Sequence, residues 1–440
     1  MARRKQVPEV ARPGRRTRLI ELGKDLLIGV LACSAVLLAA QTSLVTGLRG
    51  WITEPTQAGE PVIRQPEEAV MPYLAAVRSE WGVYGAIYDK EAVDRTVTSL
   101  RPILGEGLNT AGAVEEITER RWRALLESPG VYCAFQGSPP LEVLSAWLGG
   151  GGDLSGNAEA LLLAWDGSAV WLCWRDESGY RAAQTQVAYE GRLQTAVRKY
   201  SPNGVAFAYE MEKSDEAYGT LDPYVMVSVT PFRPAVYSTE IPDFVENGES
   251  LGMLLSALGF QSSGNSAYEM PEGLHISEGT DRLRVRRDGT VVFHAGEESR
   301  YPVPSEGERP TCSEAALAAW ELLNRAASQW RGDGTFVLTR TEAEGEGWVL
   351  TFSYRLGGIP VLTGEDGWAA RFAVAGGEIR DFTLKLRTYT DTGSAAALPR
   401  ERLAAAAMNA LGNTDGRLVL CYSDTGAESL KAGWVVQAEN

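Results

Sequence analysis

The stretch SEAALAAWELLNRAASQ, residues 313–329, decides the fold class. Its apolar residues Ala316, Leu317, Trp320, Leu323 and Ala327 recur at three- and four-residue steps, the period of a helix with one face turned to a core. Ser313 stands where a hydroxyl can cap the first turn. Downstream the period shortens from 3.6 to 2. Residues 348–356, 369–374 and 379–389 predict three strands, with Gly357-Gly358-Ile359-Pro360-Val361 as a turn or bulge between the first two. Residues 399–411 read as an Ala-rich helix with Pro399 in its first turn, and residues 418–422 and 433–436 as closing strands. The order helix, three strands, helix, two strands predicts an α+β fold. Its C-terminal half is a duplicated unit, each copy a helix laid across a curved antiparallel sheet.

Working toward the N-terminus, residues 241–312 form a middle α+β domain. It holds a helical apolar run at 251–258 and a hairpin over 283–294, whose Asp288-Gly289 supplies the positive φ of a tight turn. Residues 72–240 make a further α+β domain. Strands are expected at 83–88, 130–135, 205–209 and 224–231, and a hairpin over 158–174 broken at Asp166-Gly167. Helices are expected at 90–104, 113–126, 141–148 and 186–198. Residues 49–71, with Pro and Glu and no apolar period, read as a stalk.

Charge divides the chain more sharply than length does. Of 440 residues, 42 are Lys or Arg and 57 are Asp or Glu, a net of −15. Residues 1–25 hold eight basic and three acidic side chains, net +5, and the remaining 415 hold 34 and 54, net −20. Between the two lies the apolar run 26–48. As a helix it measures about 34 Å, enough for a hydrocarbon core of about 30 Å. The basic flank belongs in the cytoplasm, so the acidic bulk is expected outside the cell membrane on a single pass. A cleaved signal would need a small-residue cleavage site that does not follow the run, and a lipoprotein reading would place Cys33 in its middle. A buried core helix leaves the eight cations unexplained. Within the run, Gly29, Ala32, Ala35 and Ala39 recur at three- or four-residue spacing, a small face on which another transmembrane helix can pack closely.

The bulk charge argues against nucleic acid as a partner, and no compact basic patch is expected after the first 25 residues. Two histidines in the whole chain, His275 and His294, leave no His-based metal cluster, and no nucleophilic motif points to either as a general base. Phosphate-loop, zinc-protease and nucleophile-elbow motifs are missing from the sequence. Two carboxylate groups, Glu115, Glu116 and Glu119, and Glu210, Glu212, Asp215 and Glu216, are the material for a hydrolase, and equally for a solvated surface. Trp165, Trp171 and Trp174, or Trp348, Tyr354 and Trp368, could line a groove, but strand alternation accounts for most of them as core. Cys133, Cys173, Cys312 and Cys421 sit among apolar neighbours and read as buried thiols, with disulfides as the alternative. No metal, cofactor or obligatory small molecule is expected. An exposed edge strand is a place for a partner to pair.

Several stretches resemble the YycH family, membrane-anchored accessory regulators of an essential cell-wall-sensing histidine kinase in low-GC Gram-positive bacteria. They are Tyr84-Gly85-Ala86-Ile87-Tyr88-Asp89; Glu115-Glu116-Ile117-Thr118 with Trp122; Pro129-Gly130-Val131-Tyr132; Ala146-Trp147-Leu148-Gly149; Ala257-Leu258-Gly259-Phe260; Leu283-Arg284-Val285; and Asp288-Gly289-Thr290-Val291. Toward the end, Phe352-Ser353-Tyr354, Gly358-Ile359-Pro360-Val361 and Trp434-Val435-Val436 resemble the tail that YycH shares with YycI. The chain departs from the family pattern in its long Arg-rich head. The resemblance implies a non-enzymatic regulator that binds a membrane histidine kinase and a YycI-like protein through anchor and outer domains, with no catalytic residues. The other classes are an extracellular assembly or scaffold factor for cell-wall proteins, and a secreted hydrolase or ligand-sensing protein.

Overall fold

Alternation of apolar and polar side chains builds two large sheets from this chain, and helices cover their apolar faces. The computed structural model describes residues 66–438, apart from 152–153, 229, 231, 262–265 and 411–415. The head, the apolar run with Gly29, Ala32, Ala35 and Ala39, and most of the stalk lie outside the described residues. Among the described residues, no helix is long and apolar enough to cross a membrane.

The first sheet has seven antiparallel strands: β1 (Leu74–Ser79), β2 (Gly82–Ile87), β3 (Val114–Ile117), β4 (Gly130–Ala134), β5 (Ala160–Trp165), β6 (Val170–Asp176) and β7 (Gly179–Gln184). Their order is β2-β1-β4-β5-β6-β7-β3. Helix α1 (Lys90–Asn109) packs on one face, where Val97, Leu100 and Leu104 share a core with Val77, Val131, Leu161 and Leu163. Helix α2 (Glu119–Leu126) packs on the other, where Trp122 and Leu125 meet Leu74, Tyr132 and Leu162. Burial on both faces is why β5 reads Ala-Leu-Leu-Leu-Ala instead of alternating with polar residues. At the crossing, a Cβ on Gly107 would stand 2.8 Å from Leu163 Cδ1, so the helix needs glycine to lie this close. Helix α3 (Leu141–Leu148) ends at Gly149, whose φ of 86° turns the chain out of the helix.

Residues 113–126 are not one helix. Val114–Ile117 forms edge strand β3 opposite β7, and Thr118 then caps α2 by accepting from Arg121 N. β-Branched Val114 and Ile117 suit the strand, and a threonine cap starts the helix later. Residues 186–198 also depart from expectation, because Gly191 at φ 76° breaks the turn and only Gln194–Val197 is regular helix.

Short strands β8 (Val205–Phe207) and β9 (Met226–Ser228) pair with each other, and β10 (Ala235–Glu240) enters a third sheet. After helix α4 (Gly248–Ala257) come β11 (Ser266–Met270), β12 (Gly273–Glu278), β13 (Asp281–Arg286) and β14 (Thr290–His294). Helix α5 (Cys312–Ala327) is followed by β15 (Thr335–Glu344), β16 (Gly347–Leu356), β17 (Ile359–Thr363), β18 (Ala370–Ala375), β19 (Glu378–Lys385) and β20 (Thr388–Ala395). Helix α6 (Glu401–Ala410), β21 (Gly416–Asp424), β22 (Ser429–Leu430) and β23 (Ala432–Ala438) complete the order. The architecture is mixed α+β.

The second large sheet has eleven strands in the order β11-β12-β13-β14-β19-β18-β16-β17-β21-β23, with β15 on the other side of β16. It takes strands from both sides of residue 312, joined where β14 pairs with β19. Its inner face is aromatic: Phe382 stacks on Phe293 at 4.9 Å and meets Phe372 at 5.7 Å. Helix α5 supplies Ala316, Trp320, Leu323 and Ala327 to this core, while Leu317 is half-buried. Its cap is Thr311, two residues ahead of Ser313. The Thr311 hydroxyl accepts from Glu314 N at 3.1 Å, and the Glu314 carboxylate accepts from Thr311 N at 2.8 Å. Residues 357–361 are more than a turn. After Gly357-Gly358, β17 runs antiparallel to the end of β16 and parallel to β21.

Candidate functional site

Strand β13 alternates strictly. Asp281, Leu283 and Val285 are buried, and Arg282, Arg284 and Arg286 are exposed on the opposite face. Alternate residues of a strand stand about 6.8 Å apart, so the three guanidiniums form a ladder. Directly opposed residues in an antiparallel sheet share a face. The register therefore lays Tyr268, His275, Arg284, Val292, Thr383 and Arg371 in one outer row across five neighbouring strands and the next. A second row runs Ser266, Ser277, Arg282, His294 and Asp381, and a third begins Met270, Gly273 and Arg286. Arg282, Arg284, Arg286 and Arg371 make no ion pair with another described residue. Linear reading finds no basic patch beyond residue 25. The structure corrects this: β13 lines up three arginines on one face, and strand pairing puts Arg371 in the same row as Arg284, three strands away at about 14 Å.

Both histidines of the chain lie on this face. His275 Nδ1 is 2.5 Å from Tyr268 Oη, and His294 Nδ1 is 2.5 Å from Asp381 Oδ1. Burial, and then the charges of Arg284 and Arg282, lower the His275 pKa and favour its neutral ring. Among the described residues, neither ring is hydrogen-bonded to a serine, threonine or cysteine. The arrangement offers charge and hydrogen bonds on one face of the sheet.

Strand β11 is the edge of this sheet. All five of its residues are exposed, Tyr268 at 52% and Met270 at 37%, and among the described residues it pairs on one side only, with β12. Its other side presents backbone donors and acceptors to a partner.

The remaining expected site residues are spread through the fold. Glu115 and Glu116 stand on β3 opposite Ala182 and Arg181. Burial opposes ionisation of Glu119, but Arg123 at 2.7 Å and Tyr224 Oη at 2.9 Å outweigh it and lower the pKa. Glu210 pairs with Arg78 at 2.6 Å, and Asp215 pairs with Arg402. The tryptophans serve separate structures. Trp165 stacks on Tyr189 at 3.9 Å, Trp174 is fully buried, Trp348 donates to Pro310 O at 3.2 Å, and Trp368 lies under Lys385. All four described cysteines are free and buried. Among the described residues, no group of three or more His, Cys, Asp or Glu side chains is arranged to hold a metal ion.

Two hollows lie elsewhere in the described residues. An open cleft of ≈ 530 Å³ between α1 and α3 is lined by Arg101, Glu106, Asn109 and Arg192, and an Arg192–Glu106 ion pair spans part of it. A cavity of ≈ 20 Å³ lies where the described chain begins, between Met71, Lys90, Asp94 and Arg355. Arg355 on β16 is 5% exposed, and its Nη1 donates to Met71 O at 2.7 Å and Pro72 O at 3.1 Å. Burial lowers its pKa to about 10, so the guanidinium stays charged at neutral pH. The sequence signalled this residue only as a cation in an apolar strand.

No family model matches the chain, and neither a curated protein nor a solved structure matches it.

Proposed function

We propose that the chain is a membrane-anchored, non-enzymatic regulatory protein that binds a membrane histidine kinase and a YycI-like protein. On this reading residues 26–48 cross the membrane, residues 1–25 stay in the cytoplasm, and the α+β bulk works outside. Gly29, Ala32, Ala35 and Ala39 form the face that meets a partner helix. The C-terminal half is read as a duplicated helix-plus-sheet unit, in which α5 precedes six strands and α6 precedes three.

The observation that carries the reading is edge strand β11. An extended segment of a partner can add to its open side by main-chain hydrogen bonds, with Tyr268 and Met270 offering side-chain contacts on one face. Such an edge gives binding without chemistry. The test is purification of the tagged full chain from native membranes in mild detergent. A histidine kinase is expected in the complex, and its yield falls in a Tyr268→Lys, Met270→Lys variant. A complex with wall-synthesis proteins and no kinase replaces this reading with that of an assembly factor.

A further inference from the structure

The outer face beside β11 carries more than an edge. Among the described residues, its three rows hold Arg282, Arg284, Arg286 and Arg371 without ion pairs, and the acid in these rows, Asp381, is bound to His294. The part of the chain beyond residue 25 is net −20, so this face runs against the charge of its own protein. We propose that it docks on an anionic phospholipid surface and holds the outer part of the protein flat against the membrane. The inference rests on the reading of residues 26–48 as an anchor.

Three observations select this occupant. Charge is complementary: guanidiniums bind phosphate well, and the acidic remainder of the protein faces away from the lipid. The face is the side of a sheet, and at its rim Tyr268 and Met270 are exposed on the same side as the arginines. A lipid interface accommodates an aromatic and an apolar side chain, whereas a soluble polyanion would leave both in water. Chain length permits it, since the seventeen residues 49–65 reach up to about 60 Å when extended. Docking by the face leaves the main chain of the β11 edge open within the plane of the sheet, and places Tyr268 and Met270 at the rim, where lipid and a membrane-bound neighbour both meet them.

The test uses the full chain with Cys33→Ala in lipid nanodiscs, either wholly zwitterionic or containing anionic phosphatidylglycerol. A fluorophore is placed on the face by Ser277→Cys, or remote from it, on the first sheet, by Glu177→Cys, and nitroxide lipid reports proximity. Quenching is expected at position 277 in anionic discs only, weakened by high salt, with none at 177. Each arginine near an anionic leaflet contributes about fivefold. Arg282→Gln, Arg284→Gln and Arg286→Gln together should therefore lower the docked-to-free ratio on the order of 100-fold. These exposed positions leave the core intact, which unchanged thermal melting checks. Equal quenching in both lipids, or none in the triple variant's parent, overturns the proposal. So does loss of lipid dependence with tight binding of soluble polyphosphate. A chain that does not co-elute with either disc overturns the anchor reading instead, and sedimentation of the same chain with anionic and zwitterionic vesicles then decides the face.

Discussion

Arg355 places its Nη1 2.7 Å from the carbonyl oxygen of Met71, 284 positions earlier in the chain. The contact ties strand β16, in the middle of the large sheet, to the point where the described chain begins. Pro72 O and Gln136 Oε1 accept from the same guanidinium at 3.1 and 3.3 Å. Arg355→Met keeps length and apolar contact but removes this donor from the buried Pro72 carbonyl and from half-buried Met71 and Gln136. It should lower stability by about 1–3 kcal/mol, read from the urea midpoint of the full chain. An unchanged midpoint would show that the junction carries no energy.

Asp166 makes the clearest pH prediction. Its Oδ1 accepts from Ser168 N at 2.9 Å, Ala169 N at 2.9 Å and Ser168 Oγ at 2.8 Å, and its Oδ2 from Trp171 Nε1 at 2.8 Å. Burial would raise its pKa, but the donated hydrogen bonds prevail and lower it from 3.8 to about 2. A carboxyl with a depressed folded pKa stabilises above its unfolded value and loses that contribution on protonation. The contribution, about 1–2 kcal/mol, should be complete above about pH 5 and be lost as the pH falls through about 2 toward 1. Thermal melts of the wild type and Asp166→Asn should differ by a constant amount from pH 5 to 7 and converge in acid.

The cysteines should be inert in the folded protein. Burial raises the pKa of Cys133 and Cys312 to about 12 and that of Cys421 to about 11, and raises that of Cys173 as well. A polar maleimide should leave all four unlabelled natively and label all four after denaturation without reductant. Incomplete labelling after denaturation would reveal a disulfide.

The anchor face is tested inside the membrane. Gly29→Ile with Ala32→Leu adds bulk where close helix packing is proposed, and should cut kinase recovery by about tenfold while membrane insertion persists. Undiminished recovery would remove the transmembrane helix from the interface.

Local patterns made much of the fold legible. The α5 stripe, the β13–β14 turn at Asp288-Gly289 and the stop of α3 at Gly149 each follow from a few neighbouring residues. Competing local signals misled elsewhere. Glu115, Glu116 and Glu119 have helical spacing, yet β3 pairs with β7 and Thr118 delays the helix. The candidate site was only half legible. Arg282, Arg284 and Arg286 announce themselves by alternation. Arg371 and the His294–Asp381 contact do not, because strand register places them there and the paired residues are 87 positions apart.

The second large sheet is proposed to bind a membrane kinase partner through β11. The most direct measurement is photo-crosslinking in the native membrane, with a photoreactive amino acid at Tyr268 of the full chain and a control at Glu177. A crosslink from position 268 to the outer part of a histidine kinase is expected, absent from position 177. Crosslinks at 268 that never include a kinase, or a kinase captured equally from both positions, would contradict it.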